Sequence, residues 1–342
     1  MADVEVVAPA ALLLTRDLAP TDKLVWLLLS LEARQSAAQL AGQSGLTRRT
    51  VRKCIAHLEQ AGWAETPAPD QYTALRPGST RVAKFAPAEA LPPRIPCSLL
   101  RDQRTSVFAR LLYGVLQLTP GFRYPSGRFT YASVSVLTGI CAKTIKLTTG
   151  GLVRNGWLQA TQEHQLAPLA FMLRNPVAER AQAERDEAKE RLIGARYRGE
   201  AIMREFLSIL VDSEEYVDDA DPGFLVNPET LGKLQLDRYY AQGVGFEFQG
   251  PQHDHPTESF SEEDVARQKA RDFIKLGMCV KLGIALVEVR PEELSLKTMQ
   301  QKIGKLLPLR DLTGHEQLVG FLERVARGYR PKSARWVALR KG

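Results

Sequence analysis

KLQLDRYYAQGVGFEFQGPQH, residues Lys233 to His253, is the stretch from which the rest of the chain is best read. Two runs that alternate apolar and polar residues, Leu234 to Tyr240 and Val244 to Gln249, flank the loop Ala241-Gln242-Gly243. Its glycine stands where a three-residue hairpin loop requires a left-handed residue, so the pattern predicts a β-hairpin of fixed register. Tyr240 pairs with Val244, Arg238 with Phe246 and Leu236 with Phe248. On the opposite face Asp237 then stands across from Glu247, with Cβ atoms ~4.5–5.5 Å apart. Two carboxylates that close repel one another unless a cation, a shared proton or water lies between them. A divalent metal is the natural resolution, because Mg²⁺ takes one or two carboxylates plus waters and substrate phosphates. The other face, with Leu234, Leu236, Tyr240, Val244, Phe246 and Phe248, suits packing on a helix. The plain alternative is a solvated hairpin with incidental acids.

A chain of 342 residues exceeds a typical single core and predicts two or three domains. Cys54, Cys97, Cys141 and Cys279 lie far apart with no CxxC pair, which argues against a zinc ribbon or a disulfide framework and for reduced thiols. No apolar run reaches the length of a membrane span, and Leu12 to Leu14 is too short for a secretory leader. The expectation is a soluble, cytoplasmic, nucleoid-associated protein. The net charge of +7 is uneven: residues 1–175 hold 20 Lys/Arg against 11 Asp/Glu, residues 176–342 hold 26 against 28. The first half is therefore the expected polyanion binder.

That half contains a repeat. Gly45, Leu46, Thr50, Val51, Leu58, Gly62 and Trp63 fall without gaps on Gly139, Ile140, Thr144, Ile145, Leu152, Gly156 and Trp157. Each copy has a glycine turn, a helix with apolar residues at helical spacing, then Gly-Trp and a short extended segment. In the first copy Ala37 to Ser44 is the expected supporting helix, Thr47 the N-cap, Arg48 to Ala61 the recognition helix, and Trp63–Thr66 with Tyr72–Leu75 the wing. In the second, Trp157–Thr161 and Gln165–Ala170 form the wing, after an insertion Thr119–Thr130. Both copies resemble the winged-helix domains of bacterial transcription regulators and replication initiators, over residues 20–77 and 101–175. Val51, Ile55 and Leu58 face inward, which leaves Arg48, Arg49, Arg52 and Lys53 outward for DNA. The outward set of the second copy is Ala142, Lys143, Lys146 and Thr149, a less basic group.

Pro77 to Pro96 reads as an extended Pro-rich linker. Beyond Pro176, Glu187 and Arg191 at i, i+4 mark a solvated connecting helix. An amphipathic helix follows Gly199-Glu200, the acid-rich Asp212–Asp221 reads as an exposed loop, Ser261 with Asp264 as a capping box opening a helix to about Leu282, and Ile284–Val289 as a largely buried strand. Gln268, Asp272 and Lys275 share one face of that helix, available to look back at the carboxylates. Arg324, Arg327, Arg330, Lys332, Arg335, Arg340 and Lys341 make a basic C-terminal tail.

Asp237, Glu247-Phe248-Gln249-Gly250, Gln252-His253, Gln268, Arg271-Asp272, Lys275, Cys279 and Gly283 to Val287 together resemble the PD-(D/E)xK restriction-endonuclease-like superfamily over residues 199–290. The branch most similar is that of the very-short-patch repair endonucleases, whose second strand reads Glu-x-Asp-Gly followed by His. The resemblance implies that Asp237 and Glu247 bind Mg²⁺ or Mn²⁺, that Glu200 on the first helix points into the site, and that DNA phosphodiester bonds are the substrate. Gln249 departs from it, standing where the family has Lys, Asp or Glu. An amide can hold a water but cannot take its proton, so a metal or another base must do so. His253 is the nearest group that titrates near neutral pH, though a lone histidine in this setting is more often just a turn residue. His253 with His255 lacks a cysteine partner for zinc.

The expected architecture is thus two mainly-α winged helix-turn-helix domains followed by an α/β restriction-endonuclease-like domain. The expected segments are a leader (1–18), winged helix one (19–77), a Pro-rich linker (78–100), winged helix two (101–175), a connecting helix (176–198), the endonuclease-like domain (199–310), and a C-terminal helix with basic tail (311–342). The expected function is Mg²⁺-dependent DNA cleavage, with duplex DNA as partner, no membrane, and a homodimer left open. Two rivals stand: a non-catalytic regulator or replication initiator whose nuclease-like domain has lost cleavage, and RNA processing, since nothing in the sequence reads a 2′-hydroxyl.

Overall fold

The computed structural model describes residues 3–75, 91–164, 167–223, 225–228, 231–250 and 262–338. Two compact units divide between Glu179 and Arg180. In the first, β1 (Glu5–Val7), α1 (Ala10–Leu14), α2 (Pro20–Leu29), α3 (Ala37–Ser44), α4 (Arg48–Gln60), β2 (Ala64–Ala68) and β3 (Gln71–Ala74) follow in order. Local chemistry sets the helix-turn-helix. Ser36 caps α3 by accepting the Gln39 N–H, and Gly45, at φ +76°, ends that helix in the left-handed region. Thr47 Oγ1 accepts the Thr50 N–H at 3.1 Å and opens α4. Val51, Cys54, Ile55 and Leu58 are the buried side of α4. The strands β2 and β3 pair antiparallel as the wing.

The second copy comprises β4 (Arg94–Pro96), α5 (Cys97–Arg101), α6 (Val107–Leu116), β5 (Ser126–Phe129), α7 (Tyr131–Thr138), α8 (Ala142–Arg154), β6 (Leu158–Thr161) and β7 (Leu169–Leu173). Thr130 caps α7 and Gly139, at φ +74°, ends it. The expected insertion supplies β5, which adds to the wing as a three-stranded sheet in the order β5-β7-β6. Three expectations change here. The supposed leader contains β1 and α1, and the end of the supposed linker is β4, which pairs antiparallel with β1. Residues 76–90 of the linker lie outside the described residues. Thr149 is not outward: it is buried, its hydroxyl donating to the Ile145 carbonyl at 2.8 Å. Both copies contribute to one hydrophobic core, with Trp26, Leu40 and Val51 in the same cluster as Leu112, Ile145 and Trp157.

The division between units falls within α9 (Pro176–Gly194). This helix is more than a solvated connector, because Ala188 and Leu192 join the second core and Arg191 pairs with the buried Glu205 at 2.7 Å as well as with Glu187 at 3.9 Å. Next come α10 (Arg198–Leu210), β8 (Tyr216–Ala220), β9 (Leu236–Tyr240), β10 (Val244–Phe248), α11 (Glu262–Lys281), β11 (Ala285–Val289), α12 (Leu296–Ile303) and α13 (Glu316–Ala338). The sheet order is β11-β10-β9-β8. β8, β9 and β10 run antiparallel in sequence, while β11 lies parallel to β10 after the α11 crossover.

The acid-rich segment expected as a loop therefore contains an edge strand, held by Asp218 opposite Arg238. β11 is the other edge, and it is only half-buried except at Val289. The predicted C-terminal tail begins as the long helix α13, whose Leu318, Leu322 and Ala326 pack into the same core as α10. The start of α11 expected at Ser261 lies outside the described residues.

Candidate functional site

The hairpin has the register read from Gly243, which sits at φ +79°. Tyr240 pairs with Val244 and Arg238 with Phe246, and there the backbone ladder between the two strands stops. Beyond it the Phe248 N–H donates to Asp237 Oδ2 at 2.6 Å. The strands thus part at the position where Asp237 and Glu247 come opposite. Parting also explains the side chains: Tyr240, Val244 and Phe246 join the core under α10, whereas Leu234 and Leu236 pack instead with Cys279 and Ile284. The single apolar face expected for the hairpin is split between two clusters.

Glu247 is 7% exposed, and burial pushes its carboxyl up to about 7, against the Lys275 ammonium, which lowers it; the Asp237 charge adds to the rise. Asp237 is raised as well, first by burial, while the Phe248 amide and Lys275 oppose the rise. Glu200 is brought in by Gly199, where any side chain would collide with Phe248 and Tyr329, so the first turn of α10 can lie close against β10. Its carboxyl rises to about 7 from burial and then from the Asp237 charge, partly offset by Arg204 at 2.5 Å. Glu200 and Glu247 therefore each feel the charge of Asp237.

Lys275 from α11 sets its Nζ 2.9 Å from Glu247 Oε1. It was expected only to look back at the site from the helix face and instead makes direct contact. Gln268 donates to Asp272 at 2.9 Å on the same helix, and Asp272 adds a small upward push on Glu247. Gln249 is buried, its backbone N–H donating to the Val289 carbonyl at 2.9 Å. His253 lies outside the described residues. Among the described residues no group of three or more His, Cys, Asp or Glu is assembled tightly enough to hold a metal ion by itself.

Two arginines absent from the expected set organise the surroundings. Arg204 bridges Glu200, Asp218 at 3.7 Å and Asp219 at 2.7 Å. Arg238, 2% exposed, holds Asp218 through bonds of 2.6 and 2.9 Å and lies 4.0 Å from the centre of the Tyr216 ring. The signal for Arg204 was the i, i+4 spacing from Glu200. For Arg238 no sequence signal existed, since its partner strand read as a loop.

On the first unit, Arg48, Arg49, Arg52 and Lys53 are all exposed on α4, as are Lys143 and Lys146 on α8. Arg52 approaches Asp70 of the wing turn at 3.9 Å; Arg48, Arg49 and Lys53 make no ion pair among the described residues. α8 presents Leu147, 66% exposed, beside its two lysines. Arg123 and Arg128 stand on an open groove of about 600 Å³ on the second wing, a basic feature that the repeat alone did not reveal because β5 has no counterpart in the first copy. No helix among the described residues is long and apolar enough to cross a membrane.

Comparison with known proteins finds two viral relatives and one family match. Over 69 residues, 19% of this chain, the protein is 39% identical to uncharacterized protein 094L of Frog virus 3 (isolate Goorha), covering 44% of that relative. It is 37% identical over 73 residues, 20% of the chain, to uncharacterized protein 033L of Invertebrate iridescent virus 3, covering 38% of it. The match thus spans less than half the length of either relative. Residues 18–65 match the winged helix-turn-helix DNA-binding family, so the turn between α3 and α4 and the basic helix that follows belong to a winged helix-turn-helix DNA-binding domain.

Proposed function

We propose that the chain is a DNA-binding, metal-dependent endonuclease, targeted by its winged helices and cutting phosphodiester bonds at the parted end of the β9–β10 hairpin. The observation that carries this reading is the buried chain of contacts in which the Asp237 charge reaches both Glu200 and Glu247 and Lys275 pairs with Glu247, all three carboxyls having raised pKa values. The donor set is all oxygen, which fits Mg²⁺ or Mn²⁺ held by Asp237 and Glu247, with waters and substrate phosphate as the remaining ligands. Such an ion, when bound, supplies positive charge to the scissile phosphate and lowers the pKa of water.

The remaining roles belong to the chain itself. Lys275 supplies the ammonium that position 249 lacks, close enough to Glu247 to face the same phosphate and stabilise charge developing there. Gln249 orients water by hydrogen bonds but takes no proton. Glu200, with a carboxyl near 7, can accept or release a proton at neutral pH. Arg204 positions Glu200 and holds the acidic edge of β8 in place.

One observation favours the non-catalytic rival. The Lys275–Glu247 ion pair already offsets the charge of the site without a metal, as a purely structural pair would. Incubation of the protein with supercoiled and single-stranded DNA, in Mg²⁺, Mn²⁺ or EDTA, decides between them. Metal-dependent nicking that Lys275→Met abolishes without weakening DNA binding supports the nuclease; binding with no nicking in any metal supports the regulator.

A further inference from the structure

The two winged helices are built as a fused dimer. From α3 onward the copies align at an offset of 94 residues, as Ala37 falls on Tyr131 and Arg48 on Ala142. Upstream the offset becomes 87, with Ala10 on Cys97 and Pro20 on Val107, because the segment before α7 is seven residues longer than the one before α3. With this shift the equivalence extends to single hydrogen bonds. Buried Lys23 donates to the Leu13 carbonyl at 2.9 Å, and its counterpart Arg110 donates to the Leu100 carbonyl at 3.0 Å. Trp26 Nε1 reaches the Leu75 carbonyl at 3.1 Å, as Tyr113 Oη reaches that of Arg174 at 3.4 Å. Leu75 and Arg174 in turn both donate their N–H to a tryptophan carbonyl, of Trp63 and Trp157 respectively.

The copies are related by a local two-fold axis. β1 and β4 pair antiparallel with Val7 opposite Arg94, and at the offset of 87 these two are equivalent positions, so the axis passes between them. α2 packs against its own counterpart α6, as helices across a dyad do. Cross-contacts repeat in mirror order. The glycine turn at Gly45 abuts Gln103, so that a Cβ there would lie 3.1 Å from it, and the turn at Gly139 abuts Arg16, the counterpart of Gln103, at 2.9 Å. Gln103 also donates to the Gly42 carbonyl at 2.9 Å and Arg110 to the Ser44 carbonyl at 3.0 Å, tying the first helix-turn-helix to the second copy.

We infer that one chain reads two inverted half-sites of duplex DNA, about one helical turn apart, with α4 in one major groove and α8 in the next. The inference rests on the DNA-binding reading of the winged helices and is independent of cleavage. α2 and α6 lie side by side, with α4 packed on α2 and α8 on α6. Three interaxial steps of ~8–10 Å put the recognition helices up to ~30 Å apart. Their outward side chains reach ~5 Å further on each side. That span matches the ~34–36 Å between half-sites read by a two-fold dimer. The half-sites are read unequally. α4 presents Arg48, Arg49 and Arg52, whereas α8 presents Lys143 and Lys146.

The test uses the full chain in EDTA, selecting from a library of random duplexes, then footprinting the selected DNA with hydroxyl radicals and weighing the complex. The expected result is one chain per duplex, two protected patches on one face with centres about 10 base pairs apart, and inverted half-site sequences. Arg48→Ala with Arg49→Ala should erase one patch and leave the other, and Lys143→Ala with Lys146→Ala should do the reverse. Inserting half a turn between the half-sites should weaken binding by roughly 100-fold as the second contact is lost. A single patch, directly repeated half-sites, or two chains on one inverted repeat would overturn the inference while leaving DNA binding intact. Selection of no duplex at all would overturn the DNA-binding reading and this inference with it.

Discussion

Lys275 Nζ lies 2.9 Å from Glu247 Oε1, so a helix some thirty residues downstream in sequence supplies the cation that the hairpin's own strand lacks. Removing that cation exposes the carboxylate. Lys275→Met should destabilise the fold by about 1–3 kcal/mol at pH 8, because without the ammonium Glu247 must take up a proton against the solution pH or remain an unpaired buried anion. At pH 5 the loss should be much smaller, since protonated Glu247 needs no partner. Urea melts at the two pH values check this; equal losses at both would mean that Lys275 contributes packing and not charge.

The wild-type pH dependence follows from the same burial. Below about 4.5, the ordinary value, Glu247 is neutral in both folded and unfolded chains. Above it the unfolded chain ionises freely while the folded one resists until about 7, so stability falls as pH rises through this window. At ~1.4 kcal/mol for each pH step across that window, Glu247 accounts for a decline on the order of 3–4 kcal/mol. Glu247→Gln should make the decline between pH 5 and 7.5 shallower, leaving the part that Glu200, also raised to about 7, contributes, measured by chemical denaturation. A profile that rises over this range would contradict the assignment.

Much of this was legible in sequence where the cause was local. Gly45, Thr47 and Trp63 mark a helix-turn-helix by neighbours a few residues away, and Gly243 fixes a hairpin register because only one loop geometry closes there. The failures were non-local. β1 and β4 are three residues each and far apart in sequence, with no periodicity to detect, and the repeat faded upstream because its offset changes by seven residues. β8 read as a loop because its acids looked solvated, yet the buried Arg238 neutralises Asp218. Thr149 looked polar and therefore outward, but its hydroxyl is satisfied by a carbonyl one turn earlier.

Arg238 gives a test of the sheet's edge. Replacing it by Met leaves Asp218 without its bidentate partner and removes the guanidinium from the Tyr216 ring. The expected cost is about 1.5–3 kcal/mol, since Asp218 stays partly solvated and keeps Arg204 at 3.7 Å, with hydrogen-exchange protection lost first in β8. If protection falls evenly across all four strands, Arg238 supports the whole sheet and not its edge.

DNA binding should be steeply salt-dependent. With about six phosphates neutralised, affinity should fall roughly a thousandfold between 50 and 200 mM salt. Charge removal at Arg48 or Arg49 should each lower the salt slope by about one, and should weaken binding more than changes at Lys143 or Lys146. Gel-shift titrations across salt concentrations measure both; equal losses from the two helices would show that the half-sites carry equal weight.

The carboxylate pair itself is tested most directly by the melting temperature of wild type and Asp237→Asn, each in EDTA and in Mn²⁺. Asparagine keeps an oxygen to accept the Phe248 N–H, now 2.6 Å from Asp237 Oδ2, and removes one of two repelling charges. The variant should therefore be as stable as wild type, or more so, in EDTA. Wild type should rise in melting temperature with Mn²⁺ and the variant should not. A wild type that ignores Mn²⁺, or a variant destabilised in EDTA with its Mn²⁺ response unchanged, would contradict the metal site.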